Sequence, residues 1–188
     1  MSWNGLKLPV IFLSFIFGLA IAFGGQWVYQ EYTLQQPLNK VLAENKLVEE
    51  FTVDQDKPVA MVKITLTKDV KNLMEAYAEL QTLTGQVMGK KPFQLELVSK
   101  PDTALEEVFY ASHHVIYQAQ VNGSFPEVAA RVQQAAQQQG AEGKVYVDQN
   151  NIYIQLTKAD GHYLYKVIPR QDSIHATAQG GGQIAQRN

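Results

Sequence analysis

Residues 59–98 read VAMVKITLTKDVKNLMEAYAELQTLTGQVMGKKPFQLELV, and this stretch decides the fold class. Over Val59–Leu66 the chain alternates, with Ala60, Val62, Ile64 and Leu66 on one side; that is the period of a half-buried strand. From Asp69 to Met88 the apolar positions shift to helical spacing, through Val70, Leu73, Tyr77, Leu80, Thr84 and Val87. Gly89 stops the run. Phe93, Leu95 and Leu97 then alternate with Gln94 and Glu96. The result is a β-α-β unit, whose strands, if neighbours in one sheet, are parallel with a right-handed crossover.

Downstream, Thr103 and Glu106 have the spacing of a capping box, opening a helix over 103–121 with Leu105, Val108, Phe109, Ser112, Val115 and Ala119 on one face. Asn122-Gly123 ends it. Ser124 and Glu127 repeat the box, and Pro126 falls in the first turn, where it is tolerated. The helix over 125–139 carries Val128, Val132, Ala135 and Ala136, and Gly140 is its natural stop. A three-stranded antiparallel meander follows: Lys144–Val147, Ile152–Thr157 and His162–Ile168. Asp160-Gly161 between alternating segments is a strong hairpin signal, and Pro169 ends propagation. The expected class is α+β. One domain over 52–170 has the order β-α-β-α-α-β-β-β, a mixed sheet and helices on one face. The tail, 171–188, has no apolar period and reads as disordered.

Upstream, no charge falls between Lys7 and Glu31. Residues 8–30 as a helix measure roughly 34 Å at 1.5 Å per residue, against a bilayer core of about 30 Å. Trp3 before the segment and Trp27, Tyr29 and Tyr32 after it are headgroup-type residues. The expectation is a single-pass signal-anchor helix behind a short flank, 1–7. Lys7 and the terminal amine favour a cytoplasmic N-terminus, with the domain in the cell envelope on the extracytoplasmic side. The alternative is secretion after cleavage near Ala22, since Ala20-Ile21-Ala22 is an A-x-A site. Gly18 and Ala22 form a small-xxx-small pair, a candidate for helix packing in a membrane. Residues 31–51 read as a juxtamembrane helical stalk with Leu38, Val41, Leu42, Val48 and Phe51 apolar. Packing of that helix on its own domain is preferred over a short dimeric seam through Leu38, Val41, Asn45 and Val48.

Composition narrows function. The chain has 188 residues, 46% hydrophobic, with 16 basic and 18 acidic side chains and no cysteine. That balance argues against nucleic acid, and zero cysteine removes disulfides, thiolate metal sites and Cys nucleophiles. His113 and His114 are adjacent on a helix and diverge, so they lack the i, i+4 geometry of a chelating pair. Ser112-His113 is a neighbour pair, not a nucleophile facing its base. Residues 85–91 (GQVMGKK) lack the Walker pattern. Asp148, Asn150 and Asn151 resemble a fragment of a calcium loop without its glycine or its bidentate glutamate, and a hairpin turn accounts for them. No catalytic residue, metal ligand or cofactor is therefore expected.

What stands out is tyrosine on the final sheet. Val145, Val147, Ile152, Ile154 and Leu156 suit a core face, which turns Tyr146 and Tyr153 the other way; Tyr163 and Tyr165 share one face of the last strand. Tyr146, Tyr153, Tyr163 and Tyr165 thus form a candidate interaction surface, a tyrosine offering both an apolar ring and a polar tip. The expected function is non-catalytic protein–protein assembly by a tethered domain, with other proteins or copies of itself as partners and the lipid bilayer as anchor. The alternative is a ligand-binding module for a cell-wall glycan or peptide.

Overall fold

The computed structural model of the chain describes residues 12–21, 23, 36–54, 58–68 and 70–170. In chain order the elements are α1 (12–21), α2 (Gln36–Ala43), β1 (Val48–Asp54), β2 (Ala60–Leu66), α3 (Leu73–Met88), β3 (Phe93–Val98), α4 (Thr103–Asn122), α5 (Phe125–Gln138), β4 (Ala141–Val147), β5 (Asn151–Lys158) and β6 (Tyr163–Pro169). The β-α-β unit is present, with β2 and β3 parallel and Val62 opposite Leu95. The meander is antiparallel throughout.

Sheet organisation departs from the expected arrangement. Among the described residues there are two three-stranded sheets, β1-β2-β3 and β4-β5-β6. An added strand, β1, lies antiparallel to β2 and makes the first sheet mixed. The sheets are stitched edge to edge at one place. Lys100 and Tyr163 exchange both backbone hydrogen bonds, at 3.1 and 3.0 Å. Beside them the Ser99 hydroxyl accepts from the Tyr165 N–H at 2.9 Å and donates to the Tyr165 carbonyl at 3.1 Å.

Two cores flank this split sheet. In the first, α2 (Leu38, Leu42) and α3 (Leu73, Ala76, Leu80, Met88) cover Ala60, Val62, Ile64 and Leu66 of β2, and Tyr153 and Tyr165 reach in from the second sheet. In the second, α4 and α5 cover the opposite face of β5 and β6 through Leu105, Val108, Ile116, Val128, Val132 and Ala136 against Ile152, Ile154, Leu156 and Leu164. Each fully buried aliphatic side chain contributes about 1.5–3 kcal/mol. The helices α4 and α5 stand only on the second sheet, so the outer face of the first (Met61, Lys63, Thr65, Gln94, Glu96, Val98) stays uncovered, in the manner of a half-solvated sheet.

Several expectations are corrected. Among the described residues no helix is long and apolar enough to cross a membrane. The transmembrane signal-anchor reading of 8–30 is overturned. With it fall the single-pass placement, the cytoplasmic N-terminus and the extracytoplasmic assignment of the domain. Gly18 lies in α1 with open space around it; Ala22, the flanking residues 1–7 and the tail 171–188 lie outside the described residues. The helix expected over 31–51 is described from Gln36 and ends at Ala43, and Val48–Phe51 belong to β1. Leu38 and Leu42 are fully buried in the chain's own core, while Asn45 sits in the turn after α2, its amide donating to Glu79 at 2.8 Å.

Both capping boxes also change. Asp102, one residue before Thr103, caps α4 by accepting from the Leu105 N–H at 2.9 Å. The Ser124 hydroxyl makes no cap bond and donates instead to Asn122 Oδ1 at 2.7 Å.

Candidate functional site

The uncovered face of the first sheet meets the flank of α4 in a groove of about 730 Å³. Register builds its floor. Lys63 of β2 lies opposite Glu96 of β3, with Nζ 3.7 Å from Oε2 and both side chains about half exposed. Val98, 39% exposed, continues the floor toward the sheet junction. Helical geometry builds the wall: Leu105 and Val108 point into the second core, which swings Glu106, Phe109 and Tyr110 over the groove. Leu164 and Lys166 of β6 close the back, with the Lys166 ammonium 5.8 Å from the centroid of the Phe109 ring. That is within cation–π range. Tyr110 is 77% exposed. Beyond it Tyr117 and Val121 are also exposed, as is His114. At positions 110, 114, 117 and 121 these share one helical face, a second stripe outside the buried one.

A smaller cleft of about 280 Å³ lies at the β5–β6 turn, lined by Lys68, Lys158, Asp160, His162 and Tyr163 among others. Asp102, Asp160 and His162 bring ligand-type atoms within 4.8 Å of one another. Lys158 sits among them: its ammonium touches Asp102 and lies 3.2 Å from Asp160. His162 Nδ1 is 3.1 Å from Asp160 Oδ1. The His162 backbone N–H and ring, with Lys158, draw the Asp160 carboxyl down to about 2. Lys158, then the Leu105 N–H, lower Asp102, and the two carboxylates raise Lys158. The lysine supplies the positive charge these acids call for. The cluster pins the β5–β6 turn to the start of α4.

The four tyrosines singled out from sequence do not form an open surface. Tyr153 is 1% exposed and Tyr165 3%; Tyr146 and Tyr163 are partly buried and pack on the first core. Tyr153 meets Tyr77 edge-on at 5.7 Å and donates its hydroxyl to Asp148 Oδ2 at 2.7 Å. Burial, reinforced by Asp148, pushes that phenol well above its ordinary range. The Tyr146 hydroxyl donates to the Lys71 carbonyl at 3.1 Å. Asp148, Asn150 and Asn151 form a hairpin turn, with Asp148 Oδ1 accepting two backbone N–H bonds at 2.7 Å. His113 stacks near Tyr117, 4.6 Å between centroids, on the outer side of α4.

The groove residues Lys63, Glu96, Tyr110 and Lys166 were not identified from sequence. One signal was available: Tyr110, Tyr117 and Val121 are large, apolar and off the buried stripe of α4. Compared with known proteins, the chain matches no family model, no curated protein and no solved structure.

Proposed function

We propose that the chain is a non-catalytic docking domain that captures a segment of a partner polypeptide in the groove between β3, β6 and α4. One observation carries this reading. The apolar wall does not end at the cleft but continues along α4 through His114, Tyr117 and Val121. A site for a small ligand encloses most of it, whereas an exposed stripe leading away from a cleft is surface for another chain. The mixed charges at the edge (Lys63, Glu96, Glu106, Lys166) resemble the polar rim of a protein interface, with exposed aromatics at its centre.

The test is selection of a random linear peptide library against the full chain. Selected peptides are then measured by calorimetry against wild type, Tyr110→Ala and Lys166→Glu. The reading expects enriched peptides that lose about tenfold or more in affinity with Tyr110→Ala, within the range of a truncated aromatic anchor, while the melting temperature is unchanged. An absence of enriched peptides, binders indifferent to both substitutions, or Tyr110-dependent binding of oligosaccharides in place of peptides would each overturn it.

A further inference from the structure

Among the described residues, the backbone beside the groove has a pattern of unmet hydrogen-bonding groups that suits an extended chain. At the two ends of the β5–β6 ladder the Lys158 N–H donates to the His162 carbonyl at 2.9 Å, and the Arg170 N–H to the Asn150 carbonyl at 2.8 Å. Residues 164, 166 and 168 therefore bond toward β5, while 163, 165 and 167 present their N–H and C=O at the opposite edge. There Tyr163 is satisfied by Lys100 and Tyr165 by the Ser99 hydroxyl. Val167 comes next, and its backbone meets no partner among the described residues.

The facing strand shows the same parity. The Ala60 N–H donates to the Pro92 carbonyl at 3.0 Å, with Ala60 opposite Phe93, which commits 94, 96 and 98 to β2 and leaves Leu95 and Leu97 at the outer edge. Leu97 packs its side chain on the first core yet lines the groove, so it offers the groove its edge. Leu97 and Val167 thus belong to the two edge strands that Lys100 and Ser99 join at one end, and the groove opens beside Leu97.

We propose that the partner segment inserts between these two edges as a strand, bridging β3 and β6 and joining the two sheets into one. The proposal rests on the docking reading above and specifies its mode. An unpaired edge is a template for another strand, and added strands draw affinity from main-chain bonds and specificity from alternate side chains. The other two edge strands expose charges that oppose such pairing, Glu49, Glu50 and Asp54 on β1, Glu142 and Lys144 on β4. The occupant's chemistry follows from the lining. One alternate set of its side chains meets Val98, Phe109 and Leu164, so it is apolar. The lining carries Glu96, Glu106 and Glu107 against Lys63 and Lys166. Lys63 already faces Glu96, and Glu107 accepts from the Gln139 amide at 3.3 Å. Lys166 lies over the Phe109 ring, and the three acids of the lining exceed its two bases by one, so the occupant carries a lysine or arginine to meet Glu106. The occupant is an extended, alternating apolar segment of another protein carrying a basic residue.

The test uses isotope-labelled full chain and the peptide acetyl-Val-Thr-Val-Lys-Val-Thr-Val-amide. Two further versions are N-methylated at odd or at even residues, which deletes the N–H groups of one edge while keeping every side chain. Insertion predicts that amide exchange at Leu97 and Val167 slows at least tenfold with the parent peptide. It also predicts that both methylated versions bind about tenfold more weakly or worse, as lost hydrogen bonds require. Tyr110-dependent binding with exchange at Leu97 and Val167 unchanged, or with full tolerance of N-methylation, overturns insertion and leaves docking standing. So does failure of this peptide where library-selected peptides bind. If the library also yields no Tyr110-dependent binder, the docking reading itself falls.

Discussion

Gly143 is a residue whose side chain is excluded by its neighbours. It sits in β4 under α5, where an added Cβ would lie 3.0 Å from Ala136 Cβ and 3.1 Å from both Val132 Cγ1 and the Val132 carbonyl oxygen. Two of those atoms cannot rotate away. Gly143→Ala is predicted to destabilise the fold by about 1–3 kcal/mol, the usual cost of overpacking, read as a lower urea midpoint at unchanged slope; an unaltered midpoint would show that α5 yields. Asp160 makes a prediction about acid. Its carboxyl falls from 3.8 to about 2, held first by the His162 N–H, then by the His162 ring and Lys158. A carboxyl depressed by folding stabilises the native state above its unfolded pKa and loses that contribution as pH falls through the folded value. Stability from Asp160 is thus present above 3.8 and lost toward 2. Asp102 and Asp148 are lowered as well, Asp148 despite burial, because the Tyr153 hydroxyl and the Asn151 and Asn150 N–H groups outweigh it. Asp160→Asn should therefore reduce, without abolishing, the acid-side fall of the urea midpoint between pH 5 and pH 2.5. An identical fall in the variant would remove Asp160 from the account.

Among elements, α3 shows how one buried amide can seat a helix. Gln155, on β5 and 4% exposed, accepts from the Leu73 N–H at 3.1 Å and donates to the Val70 carbonyl at 2.8 Å. Asn72 caps the same helix start by accepting from Met74 and Glu75. Gln155→Met keeps the approximate volume but strands two buried backbone groups, at about 1–3 kcal/mol each. A loss of about 2–6 kcal/mol is expected in chemical denaturation, with Gln133→Met on the surface of α5 as a control that moves little. A loss no larger than the control's would mean water replaces the amide. The same element explains a sequence-level error. The aliphatic set Ile152, Ile154 and Leu156 made the opposite face of β5, with Tyr153 and Gln155, read as outward. Here that face packs on α3, and the glutamine is buried because it serves a helix end. The missed strand β1 has a different cause. Its register shifts between Val48 and Glu50, and such a bulge adds one residue to the period. Val48 and Phe51 then both pack on the first core at a spacing of three, which imitates a helical stripe. Where alternation is unbroken, as in β2, and where the stripe is regular, as in α5, sequence and structure agree. The buried set Val128, Val132, Ala135 and Ala136 is the one read from the pattern. The groove was illegible for a reason of distance: its walls come from β2, β3, α4 and β6, and no local period reports which edges end up side by side.

The described residues are layered, with α2 and α3 on one side of the split sheet and α4 and α5 on the other, and the second sheet, with β5 at its centre, is common to both cores. In β5 the odd side chain Tyr153 packs with the first core, and the even side chains Ile152, Ile154 and Leu156 pack with the second. Losing either core exposes half of β5, and the hairpins to β4 and β6 follow from it. The two cores should therefore unfold together, as small single domains do. Leu80→Ala opens a cavity in the first core and Ile116→Ala one in the second, each from a fully buried position; about 2–5 kcal/mol is the usual cost. The prediction is that either substitution lowers one shared transition. Far-UV dichroism, dominated by the helices, and near-UV tyrosine dichroism, to which the Tyr77–Tyr153 and Tyr163–Tyr165 pairs of the first core contribute, should trace coincident curves in both variants. The competing arrangement, two units joined only at Lys100–Tyr163, makes a distinguishable forecast. Ile116→Ala would then melt α4 and α5 at low denaturant while the tyrosine signal persisted. Coincidence matters for docking as well, since the groove lies where the two sheets meet: only a molecule that unfolds as one holds the Leu97 and Val167 edges at a fixed separation before a partner arrives.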